Sequence, residues 1–232
     1  MAGSGNETVS TTHGRPPVSR FRDRTEAGRI LARDLAEYAG RDDVVVLALP
    51  RGGVPVGYEL ARGLDAPLDV FVVRKVGVPG HEELAMGAVA TGDVLVLDER
   101  LIQRLGLPDA VVERAVDAEL RELERREEAY RNGRVAPDLE GKTVILVDDG
   151  LATGSSMRAA ARAVRKRNPA RVVVAVPVAA AETCAEFRED VDDVVCTLTP
   201  APFYAVGLWY DDFSQTTDDE VRELLERAAA PS

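Results

Sequence analysis

Cysteine is scarce in this sequence: only Cys184 and Cys196 occur among 232 residues. Two cysteines supply neither a disulfide framework nor a four-ligand zinc site, and both lie in apolar-patterned segments. The expectation is a pair of buried thiols. No apolar run approaches the roughly 18 residues of a membrane-spanning helix, and the first 20 residues lack the apolar core of a secretory signal. The expected location is cytoplasmic, with no membrane partner. An excess of positive charge is also missing: 29 Lys and Arg stand against 40 Asp and Glu, a net charge of −11 and a pI near 4.8. That balance argues against nucleic acid as a partner. A phosphate-bearing ligand would have to be captured by a local site, not by the global field. Lysine is confined to positions 75, 142 and 166, a bias that reads as codon usage and singles out each lysine that remains.

What is present is a core: 45% of the residues are hydrophobic, enough for one domain of this length. Residues 1–20 are polar and rich in Ser, Thr, Gly and Pro, which predicts a disordered tail with His13 inside it. Asp23 and Glu26 form a capping-box-like start to a helix whose apolar positions recur up to Tyr38. "VVVLALP" (44–50) reads as a strand buried on both faces. After it come "RGGVPVGYELARGL", a turn and helix, and "PLDVFVVRKVG" (67–77), a second buried strand. Residues 78–103 read as a mobile loop followed by a small hairpin. Pro108 opens a long charged helix to about Arg131, with Val112, Val116, Leu120 and Leu123 as its buried stripe. That helix is a candidate interface for a homo-oligomer, or simply surface. Then "KTVILVDD" is a strand, "SSMRAAARAVRKRN" a helix, "ARVVVAVPVA" a strand, "AETCAEFRED" a short helix and "DVVCTLT" a strand. An aromatic segment, "APFYAVGLWYDDF", precedes a final helix capped by Thr217 with Glu220.

Buried strands alternating with helices imply right-handed βαβ units and an α/β fold with a mostly parallel sheet. Such sheets bind ligands beyond the carboxyl ends of their strands. Three strand ends carry charge or glycine. Asp148 and Asp149 close one strand; adjacent acids raise each other's pKa unless paired, and suit a vicinal diol or metal-bound water. "ATGSS" follows and opens a helix, so its backbone N–H groups and the hydroxyls of Thr153, Ser155 and Ser156 suit a phosphate monoester. Neither a Walker loop nor a GxGxxG turn is present. A diol acceptor beside a monophosphate cradle describes ribose 5-phosphate. At the other two ends, Arg51-Gly52-Gly53 offers a guanidinium and bare backbone N–H groups, and Arg74-Lys75 a second cationic pair. Together they suit a diphosphate.

"VILVDDGLATGSS" closely resembles the phosphoribosyl diphosphate (PRPP) signature of the type I phosphoribosyltransferases, with Gly150 where that motif usually carries an aliphatic residue or Ser. "PRGG" falls where the family has its pyrophosphate loop, often with a non-proline cis peptide. "VRKVG" is similar to the Arg-Lys stretch of adenine phosphoribosyltransferases, and "AVGLWYDDF", more loosely, to a C-terminal stretch of the hypoxanthine-guanine enzymes. The resemblance covers roughly residues 20–215 and implies that fold, with a hood at 200–232 and a flexible catalytic loop at 77–92 within a loop-and-hairpin region to 107. It implies transfer of a 5-phosphoribosyl group from PRPP to a nitrogenous base, with Mg²⁺ as cofactor and a small nitrogenous acceptor as partner. Asp148 and Asp149 would bind the ribose hydroxyls or the Mg²⁺ shell, and Ala152, Thr153, Gly154, Ser155 and Ser156 the 5-phosphate. Arg51, Gly52, Gly53, Arg74 and Lys75 would hold the pyrophosphate. In the loop, Glu83, with His81 and Glu82 beside it, would serve proton transfer or metal binding, or simply be solvated. Trp209 would stack on the base, with Tyr210 beside it and Asp211 or Asp212 reading a ring edge; packing is the plainer role for Phe203 and Tyr204. The alternative is a regulator that binds PRPP or a nucleotide without efficient turnover. A receiver-like phosphoacceptor is disfavoured because Arg51 stands at the first strand end.

Overall fold

The computed structural model describes residues 19–230. The expected tail falls outside the described residues except for its last two positions, and His13 falls outside them as well. The chain runs α1 (Arg24–Asp34), β1 (Val44–Ala48), α2 (Gly53–Leu64), β2 (Leu68–Val70), β3 (Val73–Val78), β4 (His81–Ala90), β5 (Val94–Leu97), α3 (Glu99–Leu105), α4 (Asp109–Arg131), β6 (Thr143–Val147), α5 (Ser155–Arg165), β7 (Arg171–Val178), α6 (Ala181–Phe187), β8 (Asp193–Leu198) and α7 (Asp218–Ala229).

Five strands form a parallel sheet in the order β2-β1-β6-β7-β8. Its three central strands, β1, β6 and β7, have no polar face because both faces are covered. Val44, Val46, Ile145, Val147 and Val173 join Leu31, Leu60 and Leu225 from α1, α2 and α7 in one core. Val45, Leu47, Val144, Leu146 and Val174 join Met157 and Val164 of α5 and Phe187 of α6 in the other. Alternate residues along each strand thus feed opposite cores, the pattern expected of a parallel sheet between helical layers. The capping pairs hold as read: Asp23 Oδ1 accepts from the Glu26 N–H at 2.7 Å, and Thr217 and Glu220 cap each other at the start of α7.

Three readings need correction. The segment 67–77 is not one strand. It breaks after Val70, where β2 leaves the parallel sheet, and restarts as β3 in a separate antiparallel sheet, β3-β4-β5. At the break the Val72 N–H donates to Thr91 Oγ1 at 2.9 Å, so the chain crosses between sheets with its backbone satisfied. Residues 78–103 are more regular than expected. A turn at Pro79-Gly80, with Gly80 at φ +81°, joins β3 to β4, β5 follows, and α3 takes up the end of the segment. Glycine and mixed polarity suggested a loop, but a two-faced antiparallel hairpin carries the same composition. Finally, Cys184 and Cys196 are joined in a disulfide between α6 and β8, with Cα atoms 6.7 Å apart. Counting cysteines excluded a framework; it did not register that a short helix folding back on the next strand sets these two face to face.

Candidate functional site

The carboxyl ends of β1 and β6 lie side by side, and the turns that follow them interlock. Gly52 sits so close to the Asp149 carboxylate that any β-carbon would collide with Oδ2. A β-carbon on Gly53 would lie 2.8 Å from the Val147 carbonyl oxygen. Gly52 has φ −60°, so close approach is what requires glycine here, not a left-handed turn. The Pro50–Arg51 peptide is cis, as the resemblance implies for this loop.

Beyond β6 the backbone forms a cup. A cavity of about 160 Å³ is lined by Asp148, Gly150, Ala152 to Ser156 and Met157. Gly154 adopts φ +69° directly before α5, turning the chain so that the first N–H groups of the helix face the cup. The cup is fixed from behind. A β-carbon on Gly154 would lie 2.5 Å from the Phe187 ring, and Thr183 Oγ1 donates to the Ala152 carbonyl at 3.3 Å. Gly150 has a local cause too: a β-carbon there would meet Val206 Cγ1 at 2.6 Å. The C-terminal segment leaves no room for a side chain at this position.

The two acids have different surroundings. Asp149 receives both Arg24 Nε and Nη2 on Oδ2 at 2.9 Å, and the two side chains are only 16% and 11% exposed. Burial raises the Asp149 pKa, and the Arg24 charge works against that rise. Asp148 has no ion pair of this kind among the described residues. Burial, and then the charge of Asp149, push its pKa well above the usual carboxylate range. Its Oδ1 accepts the Asp149 N–H at 2.8 Å. A recessed carboxylate in that position fits a cation or a pair of hydroxyl donors. Among the described residues no cluster of three or more His, Cys, Asp or Glu could hold a metal. Two carboxylates alone suit Mg²⁺, which keeps waters and takes its remaining oxygens from substrate phosphates.

The cationic residues are less tightly gathered. Arg51 is 40% exposed, with Nη1 4.0 Å from Asp218 Oδ1. Arg74 and Lys75 lie inside β3, not at the end of a parallel strand, and neither lines the cavities that hold Asp148. Arg74 pairs with Glu119 of α4 at 2.7 Å, while Lys75 faces the opposite way and is exposed. His81 is exposed at the start of β4; the side chains of Glu82 and Glu83 lie outside the described residues.

The expected base-binding residues are engaged in packing. Tyr210 is 3% exposed, lies between Phe21 and Phe213, and donates its hydroxyl to the Asp149 carbonyl oxygen at 2.6 Å. Burial and the neighbouring acids raise its pKa. Trp209 and Phe203 pack on a small core with Phe21 and Val178, and the Trp209 Nε1 is buried without a partner among the described residues. Asp211 lies at the surface 3.9 Å from Arg20, Asp212 caps the Ser214 N–H at 2.9 Å, and Tyr204 is 79% exposed. Sequence reasoning missed Arg24, which besides Asp149 reaches the Ser214 carbonyl at 2.7 Å and lies 4.0 Å over the Phe213 ring. Its only sequence signal was its place in the first turn of a helix, where a cation opposes the helix dipole.

Similarity to known proteins agrees with this geometry. The family model for the phosphoribosyl transferase domain matches residues 21–207. Proteins from two strains of Mycobacterium tuberculosis, CDC 1551 and H37Rv, provisionally named phosphoribosyl transferases, are 47% identical over 208 residues. That match takes in 90% of this chain and 47% of theirs, so the chain spans about half the length of these relatives. A uracil phosphoribosyltransferase of Lactobacillus gasseri is 33% identical over 150 residues, 62% of this chain and 68% of that protein. The crystal structure of TT1426 from Thermus thermophilus superposes with a TM-score of 0.82 at 44% identity, over 91% of this chain and 100% of that one. With the parallel sheet, the acid pair and the cup before α5 all falling inside the matched region, the chain belongs to the phosphoribosyl transferase domain family.

Proposed function

We propose that the chain binds PRPP and transfers its 5-phosphoribosyl group to a small nitrogenous base, releasing diphosphate. One observation carries this reading: Asp148 lines the same cavity as the cup of Ala152 to Ser156, with Asp149 next to it in the chain and held by Arg24. That spacing suits a ribose with its 2′- and 3′-hydroxyls at the acids and its 5-phosphate on the α5 N–H groups. The Arg51 turn lies beside the same acids and takes the diphosphate. The chain's contribution is position and charge. Arg24 fixes Asp149, Tyr210 fixes its backbone, and the acids stabilise positive charge that develops on the ribose as diphosphate departs. Mg²⁺, held at Asp148 and Asp149 through water, would neutralise the diphosphate as it leaves. No protein nucleophile is needed. Nucleotide salvage is the corresponding role, and uracil, the base named for the Lactobacillus relative, is the first acceptor to try.

The second reading is a binding protein of the same fold. It is favoured by the packed state of Trp209 and Tyr210, which leaves the donor half formed and the acceptor half closed. A cytoplasmic site of action suits nucleotide chemistry, whereas the Cys184–Cys196 bond weighs against it, because disulfides are rare where thiols are kept reduced. The test is pyrophosphate release from PRPP and Mg²⁺ across a panel of purines, pyrimidines and related bases, with PRPP and nucleotide affinities measured in parallel. Release with any base supports transfer. Tight binding of PRPP or a nucleotide without release supports the regulator, and binding of neither overturns both.

A further inference from the structure

The arginines of α4 read, in the sequence, as one side of a solvated charged helix. In the structure one of them reaches the donor site. Arg126 lines a cavity of about 110 Å³ together with Leu49, Pro50, Asp148 and Ser156. It therefore faces the Arg51 turn, the first acid and the start of α5 at once. Arg126 also lines an adjoining cavity of about 170 Å³ with Arg51, Arg125, Tyr130 and Asp218. Three guanidinium groups meet there.

Their present partners are few. Arg126 Nε donates to Glu122 Oε1, and Arg125 Nε donates to Glu122 Oε2, both at 2.8 Å. The second acid, Asp218, accepts the Tyr130 hydroxyl at 2.8 Å and stands 4.0 Å from Arg51. Among the described residues, three positive charges thus share two carboxylates. Glu122 is held twice over, and its pKa falls to about 2 because of these two arginines. One arginine can leave Glu122 without stranding a lone carboxylate, since the other remains. Arg126 is the one placed to leave, because it alone of the two also lines the cavity that contains Asp148.

We propose that Arg126 binds the diphosphate arm of the donor, closing on it opposite Arg51 while Arg125 keeps Glu122. The ligand class is a diphosphate, whose paired anionic groups suit two guanidinium forks at once. The assignment rests on the donor-site reading above. It also supplies a cation that Arg74, tied to Glu119, does not.

The test uses the full chain, with inorganic diphosphate and Mg²⁺ as one probe and ribose 5-phosphate as the other, each titrated calorimetrically. Arg126→Ala is expected to weaken diphosphate binding about tenfold or more, with a much smaller loss of ribose 5-phosphate affinity. Arg126→Lys, which keeps the charge but loses the fork, is expected to recover part of the loss. Melting temperatures near that of the wild type would show that the variants fold. Equal diphosphate affinity in wild type and Arg126→Ala overturns the assignment, as does an equal loss for both probes. If the wild type binds neither probe nor PRPP, the donor-site reading itself falls and takes this assignment with it. If PRPP and ribose 5-phosphate bind but Arg126→Ala changes nothing, only Arg126 is excluded.

Discussion

Residues 148–156 and residues 203–213 touch where Gly150 meets Val206, yet they are built in opposite ways. In the first, side chains are small or charged, glycines allow backbones to close on one another, and polar groups face a cavity. In the second, large side chains dominate and some are spent on packing: Tyr210 is clamped between rings and Trp209 rests on a core, while Tyr204 and Leu208 are exposed. A phosphate site must leave N–H groups bare, so it forms from local backbone and reads clearly in sequence. A site for a flat ring needs only apolar surface, which any packed segment also has. The first segment therefore declares its ligand class, and the second does not.

That contrast can be broken most sharply at Asp149. Asp149→Asn is expected to lower the rate of PRPP use about 100-fold or more, because it removes the carboxylate that Arg24 positions. A variant of full activity would mean the acid pair does not hold the ribose. Next in size, Gly52→Ala should sharply weaken PRPP affinity without unfolding the sheet, since its β-carbon displaces the Asp149 carboxylate. Unaltered binding would show that the two turns can separate freely.

Asp148→Asn divides function from stability. The folded-state pKa of Asp148 lies above its unfolded value, so the ionised acid destabilises the fold at neutral pH. The wild type regains that stability as pH falls through the raised pKa. The variant should melt higher at neutral pH, lose its advantage on acidification, and turn over more slowly. A lower melting temperature at neutral pH would show that Asp148 has a stabilising partner. Smaller still, Tyr210→Phe removes one hydrogen bond to the Asp149 carbonyl, about 1 kcal/mol, and should raise the KM for PRPP several-fold with kcat little changed. Trp209→Phe should leave the acceptor KM where it is and lower only the melting temperature; a specific rise in acceptor KM would restore Trp209 as the stacking residue.

Much of the fold was legible because alternating buried strands and helices permit few arrangements. Asp148, Asp149 and the Ala152–Ser156 turn were legible because one contiguous stretch holds them. Arg24 was not: its partner lies 125 residues away, and no local pattern encodes that pairing. The same holds for the cysteines, judged by number when geometry decided the matter, and for Arg74, whose apparent role as a phosphate ligand gives way to Glu119 on α4. Strand β3 misled because Val and Phe continue through the point where the chain changes sheets.

The bond from Tyr210 to the Asp149 carbonyl, with the Phe21–Tyr210 bridge beside it, has a consequence in time as well as in space. The backbone cup can take shape once β6, α5 and α6 have packed. The Asp149 environment cannot, because it needs a residue from far upstream and another 61 positions downstream. During synthesis the backbone cup would form before the Asp149 environment, and a nascent chain would hold a half-made site until Tyr210 emerged and docked.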